Sequence, residues 1–299
     1  MTSGERLRIG FIPEHFSTPL HFAKKHFGLD ADLKPFPTGT GALTSSLKDN
    51  SIDVAIGLTE GFVADLGKTN AAKETPVYKL AGTYVDSPLC WAISVGNKSS
   101  INDKSELKGR RVGVSRIGSG SYVMSYVLAD QSGWLSSSKS PFDVVPLGDF
   151  RALRNGVNDG DKADFFMWEH FTTKKFYDNG ELRRVGDIHT PWPSWMIAAR
   201  EATDNKLEDM AEKLNKGVGY FRDNREESVE HITGTMEYSR EDAEAWLKTV
   251  EFSDNVRGVD AEVIKKTIQL LQKAAALDDK SGDAESMIAI RKASRAASS

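Results

Sequence analysis

Residues 111–131 read RVGVSRIGSGSYVMSYVLADQ. An apolar run at 112–114 meets a patch of glycine and serine, then a segment with helical spacing. Strand, small-residue turn, helix is the order in which nucleotide-binding loops occur. It is equally the order of any α/β unit that offers the free N–H groups of a helix start to an anion.

A dinucleotide fingerprint needs three glycines in the pattern Gly-x-Gly-x-x-Gly. Gly118 and Gly120 supply two, and the third position is Val123. A second turn, PTGTG, offers Gly39 and Gly41 and then Thr44. No lysine follows either pair, so the phosphate loop of the nucleoside triphosphatases is missing too. The simpler reading remains: Thr38, Gly39, Thr40 and Gly41, and likewise Gly118, Ser119, Gly120 and Ser121, hold anions with backbone N–H groups and hydroxyls. Arg116 stands beside the turn at 118–121 for a bidentate charged contact. The same hydroxyls equally serve as caps of their own helices.

Outward from this stretch, strand and helix signals alternate through the first two-thirds of the chain. LRIGFI, DLKPF, DVAIGL, VYKLAGTY, CWAISV, FDVVPL and DFFMW read as strands, with helical segments between most of them. Such alternation predicts α/β units with largely parallel sheets. After about residue 201 the pattern is helical only, with Ser239 as an N-cap and a frayed RKASRAASS end. Proline interrupts the chain at TYVDSPLCWAISV and again at GDIHTPWPSWMIAA. A chain that leaves one lobe, builds a second and returns needs two such crossings.

A weak internal echo accompanies them. PTGTG resembles IGSGS, and DVAIGLTEGF resembles ADFFMWEHF, each of the latter running from Asp through a strand to Glu. The separations of the two pairs differ, which excludes a regular repeat.

Composition bounds the partners. The 299 residues carry a net charge of −4, with no basic cluster interleaved with aromatics. Neither nucleic acid nor a membrane surface is an expected partner. Cys90 is the sole cysteine, which excludes an internal disulfide or a multi-cysteine zinc site. MTSGERLRIG has no apolar core of a signal peptide, so a cytoplasmic location is expected.

LRIGFIPEHFSTPLHFAKKHFG, SSLKDNSIDVAIGLTEGF and DKSELKGRRVGVSRIGSGSYVMSYVLADQSGW together resemble the type II periplasmic-binding-protein-like family. The resemblance covers about residues 6–200, and leans to the branch of aliphatic-sulfonate and taurine receptors and thiamine-pyrimidine synthesis proteins. It implies two α/β lobes joined by two crossover segments, with a ligand cleft between them that closes by hinge bending. Lobe one is expected at 1–88 and 190–299, including the helical tail, and lobe two at 89–189. The implied ligand-binding positions are Pro13, Glu14 and His15; Thr38, Gly39, Thr40 and Gly41; Thr59 and Glu60; Asp86 and Ser87. In the second lobe they are Ser115, Arg116, Ser119, Gly120 and Ser121; Trp168, Glu169 and His170; and, at the return crossing, Thr190, Pro191 and Trp192.

Among these, Glu60 and Glu169 both open helices, where the dipole favours acids. Trp192 stands in a proline-flanked crossing, positioned to stack on a flat ligand or to pack the hinge. Trp91 and Trp195 read as core. His21 and His26, five apart, do not share a helix face, and His189 and His231 have no constellation. No metal and no cofactor is expected.

Three functions follow as expectations. The first is a non-enzymatic binder of a small polar, anion-bearing molecule. The second is an enzyme of thiamine-pyrimidine synthesis, although Cys90 alone answers to the cysteine-rich iron motif of those relatives. The third is a ligand-responsive sensor. Without an export signal a transporter partner is not expected.

Overall fold

The computed structural model describes residues 6–135, 140–159, 162–201 and 205–292. The chain divides into two compact units. The first takes the chain up to Ser87, Trp192–Gln269 and the chain from Leu277; the second takes Pro88–Pro191 and Leu270–Ala276.

In the first unit, β1 (Leu7–Phe11) leads to α1 (Thr18–Phe27), β2 (Ala31–Pro35), α2 (Thr40–Lys48), β3 (Val54–Leu58), α3 (Thr59–Ala71) and β4 (Lys79–Val85). Pro19 sits in the first turn of α1, where its missing N–H costs nothing. Gly28 ends the helix at φ 66°, a left-handed conformation that glycine adopts without strain.

The second unit follows as β5 (Cys90–Gly96), β6 (Arg111–Val114), α4 (Gly120–Gln131), β7 (Asp143–Pro146), α5 (Phe150–Asn158), β8 (Phe165–Glu169), α6 (His170–Asp178) and β9 (Leu182–His189). After the second crossing come β10 (Trp195–Ala199), α7 (Asn205–Asp223), α8 (Arg225–Thr235), α9 (Arg240–Trp246), α10 (Ala261–Lys273) and α11 (Ala284–Met287).

The first sheet has the order β2-β1-β3-β10-β4 and the second β7-β6-β8-β5-β9. β1 pairs parallel with β2 and β3, as β6 does with β7 and β8. β10 runs antiparallel to β3 and β4, and β5 antiparallel to β8 and β9. The sheets are therefore mixed rather than largely parallel. β5 and β10 are the first strands after each crossing, and each enters its sheet in the reverse direction.

The two orders superimpose, with β1, β2, β3, β10 and β4 answering to β6, β7, β8, β5 and β9. The glutamate echo follows this equivalence, because β3 and β8 correspond. The glycine echo does not: PTGTG follows the edge strand β2, whereas IGSGS follows β6, one strand further in. A deeper correspondence joins β1 to the start of β3 and, equivalently, β6 to the start of β8. The backbone N–H of Arg8 donates to Asp53 Oδ2 (2.9 Å) and its guanidinium to both carboxylate oxygens. Arg111 repeats this on Asp164, with its N–H at 2.8 Å.

The end of β9 and all of β10, an interior strand of its sheet, occupy what the sequence reads as a proline-interrupted crossing. Short segments rich in proline and tryptophan hide such strands, because only their pairing reveals them. α8 is an additional helix in the tail. Beyond Met287 the tail leaves the helix and forms bridges, Ile288 to Leu80 and Arg291 to Val259. Ser239 caps α9 as expected, accepting from the Asp242 N–H. Residues 293–299, most of the expected frayed end, lie outside the described residues.

Candidate functional site

The carboxyl ends of the strands carry most of the predicted positions. After β1, the Glu14 carbonyl accepts from the Ser17 N–H and hydroxyl at 2.8 and 2.7 Å. His15 begins a 3-10 turn and is buried, its ring 4.6, 4.5 and 4.1 Å from those of Phe16, Tyr238 and Trp246. Burial holds its pKa well below the usual histidine value, so the ring is neutral.

Thr38 is exposed and Gly39 turns at φ 85° before α2. Thr40 is buried, and its hydroxyl oxygen accepts from the Leu58 N–H (3.0 Å), tying the start of α2 to the end of β3. The Gly41 carbonyl accepts from the hydroxyls of Thr44 and Ser45. Thr59 is pinned to the returning chain: its N–H donates to Ser194 O (3.1 Å) and its hydroxyl to Pro193 O (2.5 Å).

Glu60 in the first turn of α3 is fully buried. Its Oε2 accepts from Trp192 Nε1 at 3.1 Å, while Oε1 has no hydrogen-bond partner among the described residues. Burial pushes its carboxyl up to about 7, against the smaller opposing effects of its own backbone N–H and of Trp192. Trp192 is itself buried, so the crossing tryptophan faces an acid rather than solvent. Ser87 stitches the crossings, its hydroxyl accepting from Glu251 N–H (3.0 Å) and its carbonyl from Ser194 Oγ (2.7 Å). Asp86 lines a cavity of about 470 Å³ with Phe221, Arg222, Arg225 and Phe252.

In the second unit, the turn after β6 gathers three hydroxyls. Ser121 Oγ accepts from Ser115 N–H (3.1 Å) and lies 3.0 Å from Ser119 Oγ and 3.5 Å from Ser115 Oγ. Ser119 caps α4 through the Tyr122 N–H at 3.3 Å, and Gly120 opens the helix. Arg116 is exposed beside them.

At the end of β8, Glu169 is buried and caps α6, accepting from the Thr172 N–H at 2.6 Å. Burial pushes this carboxyl, too, to about 7, against the backbone N–H bonds of Thr172 and Phe171. Trp168 stacks on Phe150 with ring centroids 5.0 Å apart, and His170 meets Phe171 edge-on at 4.8 Å. Thr190 joins the start of β5, its hydroxyl accepting from Leu89 N–H (2.9 Å) and its own N–H donating to Leu89 O (3.1 Å).

The structure thus brings Glu60 to Trp192 and gathers Ser115, Ser119 and Ser121. It gives Thr40, Thr59, Ser87 and Thr190 bonds that hold the strand ends in place. Trp91 and Trp195 are buried, as core residues should be.

Two groupings escape the spacing rules. His21 on α1 lies 5.2 Å from His231 on α8, ring to ring. Cys90, Asp187 and His189 converge through the pairing of β5 with β9. Burial pushes the Cys90 thiol up to about 12, helped by Asp187 and Glu169 and opposed by Arg184. Strand pairing between residues about a hundred positions apart leaves no trace in local sequence.

No curated protein matches the chain. The family described as Ca3427-like PBP matches residues 91–188. The alkanesulfonate-binding protein SsuA from Xanthomonas axonopodis pv. citri, solved bound to MOPS, is similar at 19% identity and a TM-score of 0.74, covering 94% of this chain and 96% of its own. The periplasmic aliphatic sulphonate binding protein SsuA from Escherichia coli is 19% identical with a TM-score of 0.71, over 97% of this chain and 94% of its own. The expected resemblance to periplasmic binding proteins, sulfonate receptors included, is borne out, as is the two-lobed α/β fold class. The Candida albicans CA3427 gene product is 40% identical over 92% of both chains with a TM-score of 0.82, so this protein belongs to the family that product defines, which exhibits the generic periplasmic binding protein fold.

Proposed function

We propose that the chain binds a small polar molecule bearing an anionic group, using the strand-end loops of both units and hinge closure, without chemical turnover. One observation carries this reading. Glu60 and Glu169 stand at the carboxyl ends of equivalent strands, both buried and both pushed to about 7. Burying a carboxyl costs stability. Glu169 caps α6 and Glu60 Oε2 accepts from Trp192, but Glu60 Oε1 has no hydrogen-bond partner among the described residues. Perturbed acids at the carboxyl ends of an α/β sheet, where ligands bind, mark a site. These acids accept from donor groups of a ligand, while the hydroxyl cluster of Ser115, Ser119 and Ser121 with Arg116 meets its anion.

Calorimetry with sulfonates, amino acids, pyrimidines and their phosphates tests the proposal. A folded protein that binds none of them overturns it. Native mass spectrometry of the purified protein reads any retained ligand directly. Action inside the cell is part of the same proposal and is checked by fractionating cells that express the whole gene.

A second reading, acid/base chemistry on the bound molecule, draws on the same acids, since groups titrating near 7 suit proton transfer. Turnover of a bound candidate with a pH profile set by these groups would favour it, and unchanged ligand recovered after incubation would exclude it.

A further inference from the structure

Cys90 opens β5 and His189 closes β9, and the two residues are directly paired across the antiparallel ladder. Asp187 is paired with Ala92, two residues along each strand. Directly paired residues share a face of a sheet, as do residues two apart on a strand. Thiol, imidazole and carboxylate therefore stand together, with their donor atoms all within 4.8 Å of one another.

We infer that Cys90, Asp187 and His189 form a binding site for a thiophilic divalent cation of the zinc(II) class. The three side chains are the ligands and solvent takes the remaining position.

The donor set selects the metal. Calcium and magnesium require six or more oxygens, and this group offers one carboxylate. One sulfur, one nitrogen and one oxygen suit zinc and its borderline-soft neighbours. In a tetrahedral zinc site such donors stand roughly 3.4 Å apart, so the group, whose donors lie within 4.8 Å of one another, closes by up to about 1.4 Å. His189 is exposed, leaving its ring free to adjust, and Asp187 is half-buried.

Asp187 is already bonded to the Arg184 guanidinium, so the cation shares that carboxylate or displaces the arginine. On binding, the thiol releases its proton to solvent and the sulfur becomes a thiolate ligand. The metal would join the start of β5 to the end of β9, next to the paired bonds between Leu89 and Thr190. Binding therefore raises thermal stability.

The test is zinc(II) titrated into the untagged full chain by calorimetry and thermal melting, with cobalt(II) as a spectroscopic probe. The wild type, Cys90→Ser, His189→Ala, Asp187→Asn and a His231→Ala control are compared. The expected result is one ion per chain, a thiolate-to-cobalt charge-transfer band and a raised melting temperature. Changes outside the first ligand shell typically cost metal affinity about 10–100-fold, so loss of a ligand itself should cost at least that much. Cys90→Ser and His189→Ala should both show it, and His231→Ala should not. No binding by the wild type, affinity that survives both ligand variants, or loss in His231→Ala alone overturns the site. His189 is exposed, so its variant tests the inference even if Cys90→Ser misfolds.

Discussion

The indole N–H of Trp192 donates to Glu60 Oε2 across 3.1 Å, tying the returning crossing to the first turn of α3. The bond stands within a fully buried setting that holds the carboxyl near 7, against 4.5 in an unfolded chain. Between those values the folded protein keeps a proton that the unfolded chain has lost. Stability from this group is therefore complete at the acid end and falls as pH rises through the window. At full ionisation the loss is about 3 kcal/mol. Glu60→Gln keeps an acceptor for Trp192 and removes the titration. Urea denaturation at pH 5 and pH 7.5 should show a smaller decline in the variant than in the wild type, by roughly 2–3 kcal/mol.

The turn after β6 separates ligand contact from helix capping. Ser119→Ala removes the cap on Tyr122 N–H and should lower stability by about 1 kcal/mol. Arg116→Ala leaves that cap in place and changes an exposed side chain. It should abolish binding of the best anionic ligand in calorimetry while the melting temperature stays put, and a bulky residue at Gly120 should do the same. Affinity that survives both changes would reduce the turn to a helix cap.

Much of this architecture is legible in sequence because it is local. The run LRIGF, the stop at Gly28 and the cap at Ser239 each depend on a few neighbouring residues. The echo between DVAIGLTE and ADFFMWE is legible too, and the structure deepens it into the paired clamps of Arg8 on Asp53 and Arg111 on Asp164. The arginines lie about 45 and 53 residues from their partners, too far for spacing rules to join them. The aromatic wall around His15 is non-local as well, since Tyr238 and Trp246 come from the tail. For the same reason His189 reads as isolated until β9 pairs with β5.

The histidines at the α1 and α8 contact make an acid-sensitive joint. Burial, then His231 and Lys24, push His21 down to about 4 from the ordinary 6.5. An unfolded chain takes up the proton first, so stability is lost as pH falls from about 6.5 toward 4. His21→Phe removes the titrating ring and keeps an aromatic face toward Phe11, which lies 5.2 Å away edge-on. Denaturation curves at pH 7 and pH 4.5 should draw closer together in the variant. An unchanged acid loss would place the sensitivity elsewhere.

Two glycines of α7 should respond to the same substitution with opposite signs. A Cβ on Gly217 would meet the Pro19 carbonyl oxygen at 2.3 Å and the Ala23 nitrogen at 2.9 Å. That glycine is what lets α7 lie against α1, and the opposing atoms are backbone, which yields only if a helix moves. Forcing extra volume into packed structure costs about 1–3 kcal/mol, more than the roughly 1 kcal/mol that alanine gains over glycine in a helix. Gly219, two residues on, has nothing within 4 Å of the corresponding position. There the helix gain stands alone, at about 0.5–1 kcal/mol. Gly217→Ala should shift the urea midpoint down and Gly219→Ala should shift it up. Equal shifts of either sign would mean that α7 does not approach α1 through Gly217.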